Sequence, residues 1–211
     1  MGIMDLLIRQ GGMPAGRIGR LIGQVMNLGH SPHWQWALTK ISIDPEDVIL
    51  DVGCGGGQAL KLLAGRASSG KVFGVDHSEE MVNLSKRTNR ELIEEGRVEI
   101  THGRVSSLPF STEMFDLVTA FDTFYFWPNQ VKDLKEIIRV LNPEGKLLLF
   151  NEGYRQKVLS RRGAQFEKAA GVKLQTPDET RELLSEAGYS EIDVALRPEK
   201  DWFLAIAKKI G

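Results

Sequence analysis

The sequence has very little cysteine: Cys54 is the one cysteine among 211 residues. A single cysteine excludes a disulfide within the chain and suits a reducing compartment. No stretch approaches the ~18 consecutive apolar residues of a transmembrane helix. The apolar residues 1–7 lack the basic flank of a signal peptide. We therefore expect a cytoplasmic protein that makes no membrane contact.

The chain also lacks an excess of either charge. It has 27 Lys and Arg against 28 Asp and Glu, which gives a net charge of -1. Such a chain has no field that attracts nucleic acid or an acidic membrane, so neither is an expected partner. Internal repeats and low-complexity tracts are absent as well. The length and ordinary composition predict one α/β domain with some elaboration.

From residue 48 onward, strand and helix patterns alternate along the sequence. This alternation predicts a parallel sheet covered on both faces by helices. The expected strands are 48–52, 71–75, 97–101, 115–120 and 145–150, and the expected helices are 57–65, 78–94 and 130–141.

Both ends of the chain depart from the alternation. An amphipathic helix over 14–27 and a second helix after Ser31-Pro32 lead us to interpret 1–44 as a helical lid on the domain formed by 45–211. Near the other end, a helix is expected from the capping Thr176 to Gly188. The strand-like runs 191–196 and 201–207 follow without a helix between them, which predicts an antiparallel hairpin at a sheet edge.

A glycine-rich turn follows the first strand and indicates a nucleoside site. The strand contains Asp51, the turn spans residues 53–57, and the next strand ends in Asp76. Ligands of doubly wound sheets bind at the carboxyl ends of the strands, where the strand order reverses. Asp122 follows the fourth strand, so three carboxylates are expected to face one crevice. Asp76 is placed to accept hydrogen bonds from both ribose hydroxyls.

The turn does not match a dinucleotide-binding fingerprint. The pattern G-x-G-x-x-G needs a third glycine, but counting from Gly53 places Gln58 there. Asp51 would repel a pyrophosphate and suits a ligand with an ammonium group. S-adenosylmethionine, which joins a ribose to a cationic amino acid, is the favoured cofactor. A nicotinamide-dependent oxidoreductase is the less favoured alternative.

Five segments together resemble the ordered motifs of class I S-adenosylmethionine-dependent methyltransferases, above all the small-molecule branch with the ubiquinone and menaquinone C-methylating enzymes. The segments are 51–57 (DVGCGGG), 74–82 (GVDHSEEMV), 108–110 (LPF), 115–118 (FDLV) and 139–145 (RVLNPEG). The resemblance implies a Rossmann-like, doubly wound, mostly parallel seven-stranded sheet with the C-terminal hairpin and N-terminal lid. It implies methyl transfer to a small-molecule acceptor by a monomer or homodimer. A catalytically inactive cofactor-binding module, acting as sensor or partner subunit, is the alternative.

The same resemblance assigns cofactor contacts to positions of this chain. The ribose of the cofactor would contact Asp76, and Phe121 and Asp122 would close the floor of the cofactor site. The methionine part would contact Asp51, Gly53, Cys54 and Gly55. The adenine would contact His77, Met81 and the segment Gly103, Arg104, Val105 and Ser106. Arg104 departs from the family, whose members usually carry an acid there. Arginine only donates hydrogen bonds. We therefore expect Arg104 to face solvent, while Ser106, a main-chain carbonyl or packing holds the base.

The acceptor side is less defined. Methyl transfer depends largely on positioning and desolvation, and residues 124–127 (FYFW) either shape the acceptor pocket or plug the core. The catalytic candidates are His30 as a general base, Tyr125 and Glu152, although His30 also suits a helix cap or packing between helices.

Three further patterns on this side have weaker interpretations. The pair His30 and His33 lacks an acidic third ligand, so no metal site is expected, and a magnesium site at Asp122, Asn151 and Glu152 is a minor hypothesis. The segment after Asp122 lacks the Pro-Pro-aromatic motif of amino methyltransferases acting on nucleotide bases. The basic stretch 155–168 suits either an acidic substrate or a solvated helix face.

Overall fold

The computed structural model describes residues 31–156 and 161–210, so the predicted helix over 14–27 and His30 lie outside the described residues. A seven-stranded sheet has the order β3-β2-β1-β4-β5-β7-β6. Pairs among β1 to β5 are parallel, whereas β7 pairs antiparallel with both β5 and β6. The doubly wound sheet and the C-terminal hairpin are therefore confirmed. The strands are β1 (Val48–Val52), β2 (Lys71–Asp76), β3 (Val98–His102), β4 (Phe115–Phe121), β5 (Leu141–Glu152), β6 (Tyr189–Arg197) and β7 (Trp202–Lys209).

Helices cover both faces of the sheet. One hydrophobic cluster joins Leu50 to Leu134 and Leu184, and the other joins Ile49 to Leu38 and Leu60. Successive residues of β1 thus bury opposite faces, which explains why the strand reads as a nearly continuous apolar run. The helices are α1 (Ser31–Leu38), α2 (Gln58–Arg66), α3 (Glu79–Thr88), α4 (Arg90–Glu94), α5 (Gln130–Val140), α6 (Arg161–Ala170) and α7 (Pro177–Ala187).

The expectation of one helix over 78–94 is wrong, because Asn89 separates α3 from α4. Its Nδ2 donates hydrogen bonds to the carbonyl oxygens of Gly57 and Ser85, each at 2.9 Å. Asn89 is only 1% exposed, so these two bonds provide acceptors for both hydrogens of its buried amide nitrogen. Helical periodicity carries no signal for this contact, since its partner Gly57 lies in another element.

Helix α7 begins and ends at the predicted residues. The Thr176 hydroxyl accepts a hydrogen bond from the Glu179 N–H at 3.0 Å, and the Glu179 carboxylate accepts one from the Thr176 N–H at 2.8 Å. Gly188 ends the helix with φ 105°. These reciprocal bonds form the capping box that the sequence spacing indicates.

Helix α1 lies over the ends of β4, β5 and β7. The Trp34 ring is 5.8 Å from that of Phe121, and the Trp36 ring is 6.2 Å from Phe150 and 5.6 Å from Trp202. The helix therefore reaches the edge of the sheet where ligands of this fold class bind. A lid formed by the whole of 1–44 stays a prediction.

Candidate functional site

The glycine turn after β1 combines close packing with an open side. Gly57 has φ 84°, and a Cβ added there would lie 2.2 Å from Ser85 Oγ and 2.4 Å from Asn89 Nδ2. Gly55 has φ 50°, but an added Cβ would meet no heavy atom within 4 Å. Gly57 is thus required by packing, whereas Gly55 leaves room for a ligand to approach the backbone.

Asp76 at the end of β2 is held against this turn. Its Oδ2 accepts a hydrogen bond from the Gly55 N–H at 2.9 Å, and its Oδ1 accepts one from the Ser78 N–H at 2.8 Å. His77 Nδ1 lies 3.7 Å from Oδ1. Burial raises the pKa of the Asp76 carboxyl. Because a carboxylate oxygen has further lone pairs, both oxygens retain capacity to accept hydroxyl groups of a ligand.

Asp51 on β1 is buried, and its Oδ1 accepts a hydrogen bond from the Thr119 hydroxyl at 2.7 Å. Burial, with a smaller contribution from the nearby Asp76, raises the pKa of the Asp51 carboxyl to about 7. A cationic group placed beside Asp51 would favour the ionised carboxylate and oppose this rise.

We expect the affinity for S-adenosylhomocysteine to increase with pH up to about 7 and then to level off. Near pH 6 the Asp51 carboxyl is largely protonated, so binding of a ligand ammonium group must release a proton; above its raised pKa this cost disappears. One released proton makes binding roughly tenfold weaker per pH unit below the pKa. Isothermal titration calorimetry at pH 6 and pH 8 measures the difference.

The Asp51→Asn variant should bind S-adenosylhomocysteine more weakly than the wild type at pH 8, and its affinity should depend less on pH. Asp178→Asn, which changes an 88% exposed carboxyl on α7, serves as the matched control. A wild-type affinity that stays constant between pH 6 and pH 8 would contradict the proposed contact of Asp51 with the amino group.

Cys54 packs beneath the turn. Its Sγ lies 3.9 Å from Ser85 Oγ and would be 3.0 Å from a Cβ added at Gly74. Burial raises the pKa of the thiol well above its ordinary value, so the thiol is not an activated nucleophile. A ligand on the open side of the turn would therefore meet the main chain of Cys54.

The segments predicted to surround the adenine lie beside Asp76. Met81 is buried in the first turn of α3, and His77 is half-buried. The Gly103 N–H donates to the Asp76 carbonyl at 3.0 Å, which anchors the turn over 103–106. Within that turn Arg104 and Ser106 are exposed, whereas Val105 packs on the core.

A second polar group, formed by Asp122 and Glu152, lies further along the sheet, at the ends of β4 and β5. Asp122 follows Phe121 with φ 57°, and its Oδ1 accepts a hydrogen bond from the Glu152 N–H at 2.5 Å. The Trp34 side chain lies close to Asp122, and Asp122 Oδ2 is inaccessible to solvent. Burial and the neighbouring Glu152 raise the pKa of the Asp122 carboxyl to about 7. The carboxylates of Asp51, Asp76 and Asp122 therefore line this edge of the sheet, and Asp122 lies beside Glu152.

His33 joins this group. Its Nδ1 lies 2.9 Å from Glu152 Oε1, and its ring centroid lies 4.7 Å from that of Trp202. No local pattern predicts the pair, because α1 and the end of β5 meet only in the folded chain. Across residues 31–156 and 161–210, no cluster of three or more His, Cys, Asp or Glu side chains could hold a metal ion.

The four aromatic residues after Asp122 divide into two roles. Phe124 and Trp127 are buried and pack together with centroids 5.1 Å apart, so they plug the core. Tyr125 and Phe126 are half-buried and contact Phe166 of α6, at 5.2 Å and 6.5 Å between centroids. Burial and the carboxylates of the second polar group raise the pKa of Tyr125 well above its ordinary value. Phe166 was not predicted, because its role depends on how α6 docks.

In the described part of the basic stretch 155–168, Arg155 is paired with a carboxylate of the same stretch. Arg155 donates to both Glu167 carboxylate oxygens, at 2.9 Å and 3.0 Å, and Glu167 Oε1 also accepts from the Leu174 N–H at 2.8 Å. Arg155 thus holds α6 in place, whereas Lys168 is exposed to solvent. This arrangement favours a structural role for Arg155 over the binding of an acidic substrate.

Comparison with known proteins matches these elements to a family. The family model described as "Methyltransferase domain" matches residues 50–149, which span the glycine turn, Asp76 and the end of β4. These residues form a class I S-adenosylmethionine-dependent methyltransferase domain.

Similar proteins agree with this assignment. Over 126 residues the chain is 28% identical to an uncharacterized methyltransferase of Bacillus subtilis, covering 60% of this chain and 67% of that protein. Over 130 residues it is 32% identical to a demethylmenaquinone methyltransferase of Bacillus mycoides, covering 61% of this chain and 54% of that protein. The chain thus spans about half the length of the second relative.

The methyltransferase fold is also seen in solved structures. A phosphoethanolamine N-methyltransferase of Haemonchus contortus, in complex with S-adenosyl-L-methionine, superposes with a TM-score of 0.81 at 17% identity, covering 100% of this chain and 60% of that one. The residues of the methyltransferase domain suit this cofactor, because Asp76 is fixed beside the open approach at Gly55. Within the described part of the chain, no helix has the length and apolar character needed to cross a membrane.

Proposed function

We propose that the protein transfers the methyl group of S-adenosylmethionine to a small-molecule acceptor. The observation that carries this proposal is the buried Asp76 carboxylate held beside the open side of Gly55, within a class I methyltransferase domain. When bound, S-adenosylmethionine supplies an electrophilic methyl group on a positively charged sulfur. Asp76 would bind the ribose hydroxyls, and Asp51 would lie near the ammonium group of the methionine part.

The remaining residues would position the acceptor. Helix α1 contacts Phe121 at the end of β4 through Trp34, and α6 contacts the short helix Phe124–Phe126, which follows β4, through Phe166. Such walls orient an acceptor and exclude water, the two contributions on which a direct displacement most depends. The balanced charge of the chain and the likeness to a demethylmenaquinone methyltransferase support a small molecule over a nucleic acid. A monomer or homodimer and a cytoplasmic location stay predictions.

Transfer of a labelled methyl group tests the proposal. The protein is incubated with methyl-labelled S-adenosylmethionine in three separate reactions, which contain the small-molecule, the protein or the nucleic-acid fraction of a cell lysate. We expect label to appear in a small-molecule product other than S-adenosylmethionine, together with the formation of S-adenosylhomocysteine. Titration should also show binding of S-adenosylhomocysteine but not of NAD. Label in a macromolecular fraction, or cofactor binding without transfer to any fraction, would contradict the proposal.

A further inference from the structure

The second polar group is well placed to contact the reacting end of an acceptor. Asp122 follows β4, the neighbour of β1, and Glu152 ends β5, the next strand along; the glycine turn after β1 is expected to hold the methionine part of the cofactor. The turn lies against Thr123, the residue after Asp122, since a Cβ added at Gly53 would lie 2.4 Å from Thr123 Cγ2. The Glu152 side chain is 36% exposed, so a ligand entering from solvent can reach it.

Negative charge dominates this location. The carboxylates of Asp122 and Glu152 act on one another, and both raise the pKa of the Tyr125 hydroxyl. The Nδ1 atom of the His33 imidazole lies 2.9 Å from Glu152 Oε1. A carboxylate can accept several hydrogen bonds at once, so Glu152 can bind a ligand nitrogen in addition to its existing contacts.

The charge discriminates between acceptor chemistries. An anionic acceptor would be repelled by two carboxylates, and a hydroxyl that must ionise before it attacks would be harder to deprotonate there. An amine is instead attracted in its cationic form and leaves as a methylated cation, but its ammonium group must still give up a proton before it attacks. Carboxylates already oriented toward that nitrogen stabilise the positive charge as it moves from sulfur to the acceptor.

Aromatic faces accompany the carboxylates. Tyr125, Phe126 and Phe166 form a three-ring cluster, and the Trp34 side chain also lies close to Asp122. Aromatic rings attract organic cations through their electron-rich faces, and the attraction grows when water is excluded. Carboxylates and aromatic rings together are a combination that recognises an alkylated ammonium group.

We propose that the acceptor is a basic amine whose nitrogen binds at Glu152, in the field of the buried Asp122 carboxylate, with Glu152 as its proton acceptor. The proposal rests on the methyltransferase function given above and adds the substrate class. The bound ammonium group gives one proton to the Glu152 carboxylate. The freed nitrogen lone pair then forms a bond to the methyl carbon while the carbon–sulfur bond breaks and its electron pair stays on sulfur. The products are a methylated ammonium group, S-adenosylhomocysteine and protonated Glu152.

Binding of three matched probes tests this inference without knowledge of the natural acceptor. Benzylamine, benzyl alcohol and benzoate share one ring but are cationic, neutral and anionic. Each is titrated into the protein saturated with S-adenosylhomocysteine at pH 8, above the pKa of Asp122. We expect benzylamine to bind at least about tenfold more tightly than the other two, the effect of one charge-assisted hydrogen bond. Equal binding of the three, binding by none, or tighter binding of benzoate would overturn the inference.

Isosteric variants locate the site of the amine. Glu152→Gln and Asp122→Asn should each weaken benzylamine about tenfold, and in Glu152→Gln the affinity for S-adenosylhomocysteine should stay within about twofold. The control is Glu99→Gln, the same change at an exposed carboxylate on β3 that pairs with Lys71 of β2. It should leave benzylamine binding unaltered. Unchanged affinity in both site variants would overturn the inference.

The two proposals fail in different ways. Loss of the methyltransferase function would appear as failure of the wild-type protein to bind S-adenosylhomocysteine. Failure of the amine inference alone would leave that binding intact and remove only the preference for benzylamine. Thermal unfolding of each variant identifies any that does not fold, and Glu152→Asp, which keeps the charge, should retain the preference for the amine.

Discussion

Replacement of Asp76 by Ala is expected to weaken binding of S-adenosylhomocysteine by about 100-fold. Two hydrogen bonds from ribose hydroxyls to a charged acceptor contribute roughly this much. The substitution also removes the partner of the Gly55 and Ser78 N–H groups, so the turn itself loses support. Isothermal titration calorimetry measures the affinity, and Asp193→Ala, an exposed position on β6, is the control.

A second comparison separates the ribose contact from the support of the turn. Wild-type protein should bind adenosine more tightly than 2′,3′-dideoxyadenosine, because only adenosine has hydroxyls for Asp76. The Asp76→Ala variant should lose this discrimination. If the variant still distinguishes the two nucleosides as the wild type does, Asp76 does not bind the ribose.

Gly57→Ala is expected to lower the free energy of unfolding by about 3 kcal/mol, because a left-handed backbone and an overpacked site both act against the new methyl group. The nearest atoms include the backbone Cα of Ser85 at 3.0 Å, which cannot rotate away. Chemical denaturation followed by circular dichroism measures the change. A loss below about 1 kcal/mol would show that the contact between the turn and α3 relaxes easily.

Gly55→Ala is the matched variant two residues away. The substituted methyl group meets no protein atom within 4 Å, so the expected loss of stability is only the ~1 kcal/mol of a left-handed alanine. The same methyl group occupies the side of the turn where the ligand would approach. We therefore expect the affinity for S-adenosylhomocysteine to fall at least about tenfold. Retained affinity would place the ligand elsewhere.

The arrangement of the fold was largely predictable from local sequence patterns. Buried parallel strands appear as apolar runs, and the capping residues of α7 mark both of its ends, so these elements lie close to the predicted residues. The limits of that approach appear at Asn89, where a side-chain contact with the glycine turn divides a periodic segment into two helices. Strand β5 is likewise longer than predicted, because it begins at Leu141 directly after α5.

The cofactor half of the candidate site was predictable for the same reason. Asp51, the glycine turn and Asp76 lie on neighbouring parallel strands, and the carboxyl ends of such strands meet at one edge of the sheet. Sequence order alone therefore brings these residues together. Their roles toward the cofactor stay predictions that the Asp76 and Gly55 variants test.

The acceptor half depended on tertiary structure. Glu152 pairs with His33, and Tyr125 with Phe166, across segments that are distant in sequence and that no period connects. The sequence by itself determined the sheet, the glycine turn and the acids at the strand ends, because short-range chain geometry dictates them. Only packing of α1 and α6 against the sheet decided which side chains share the second polar group, since such contacts arise from the fold as a whole.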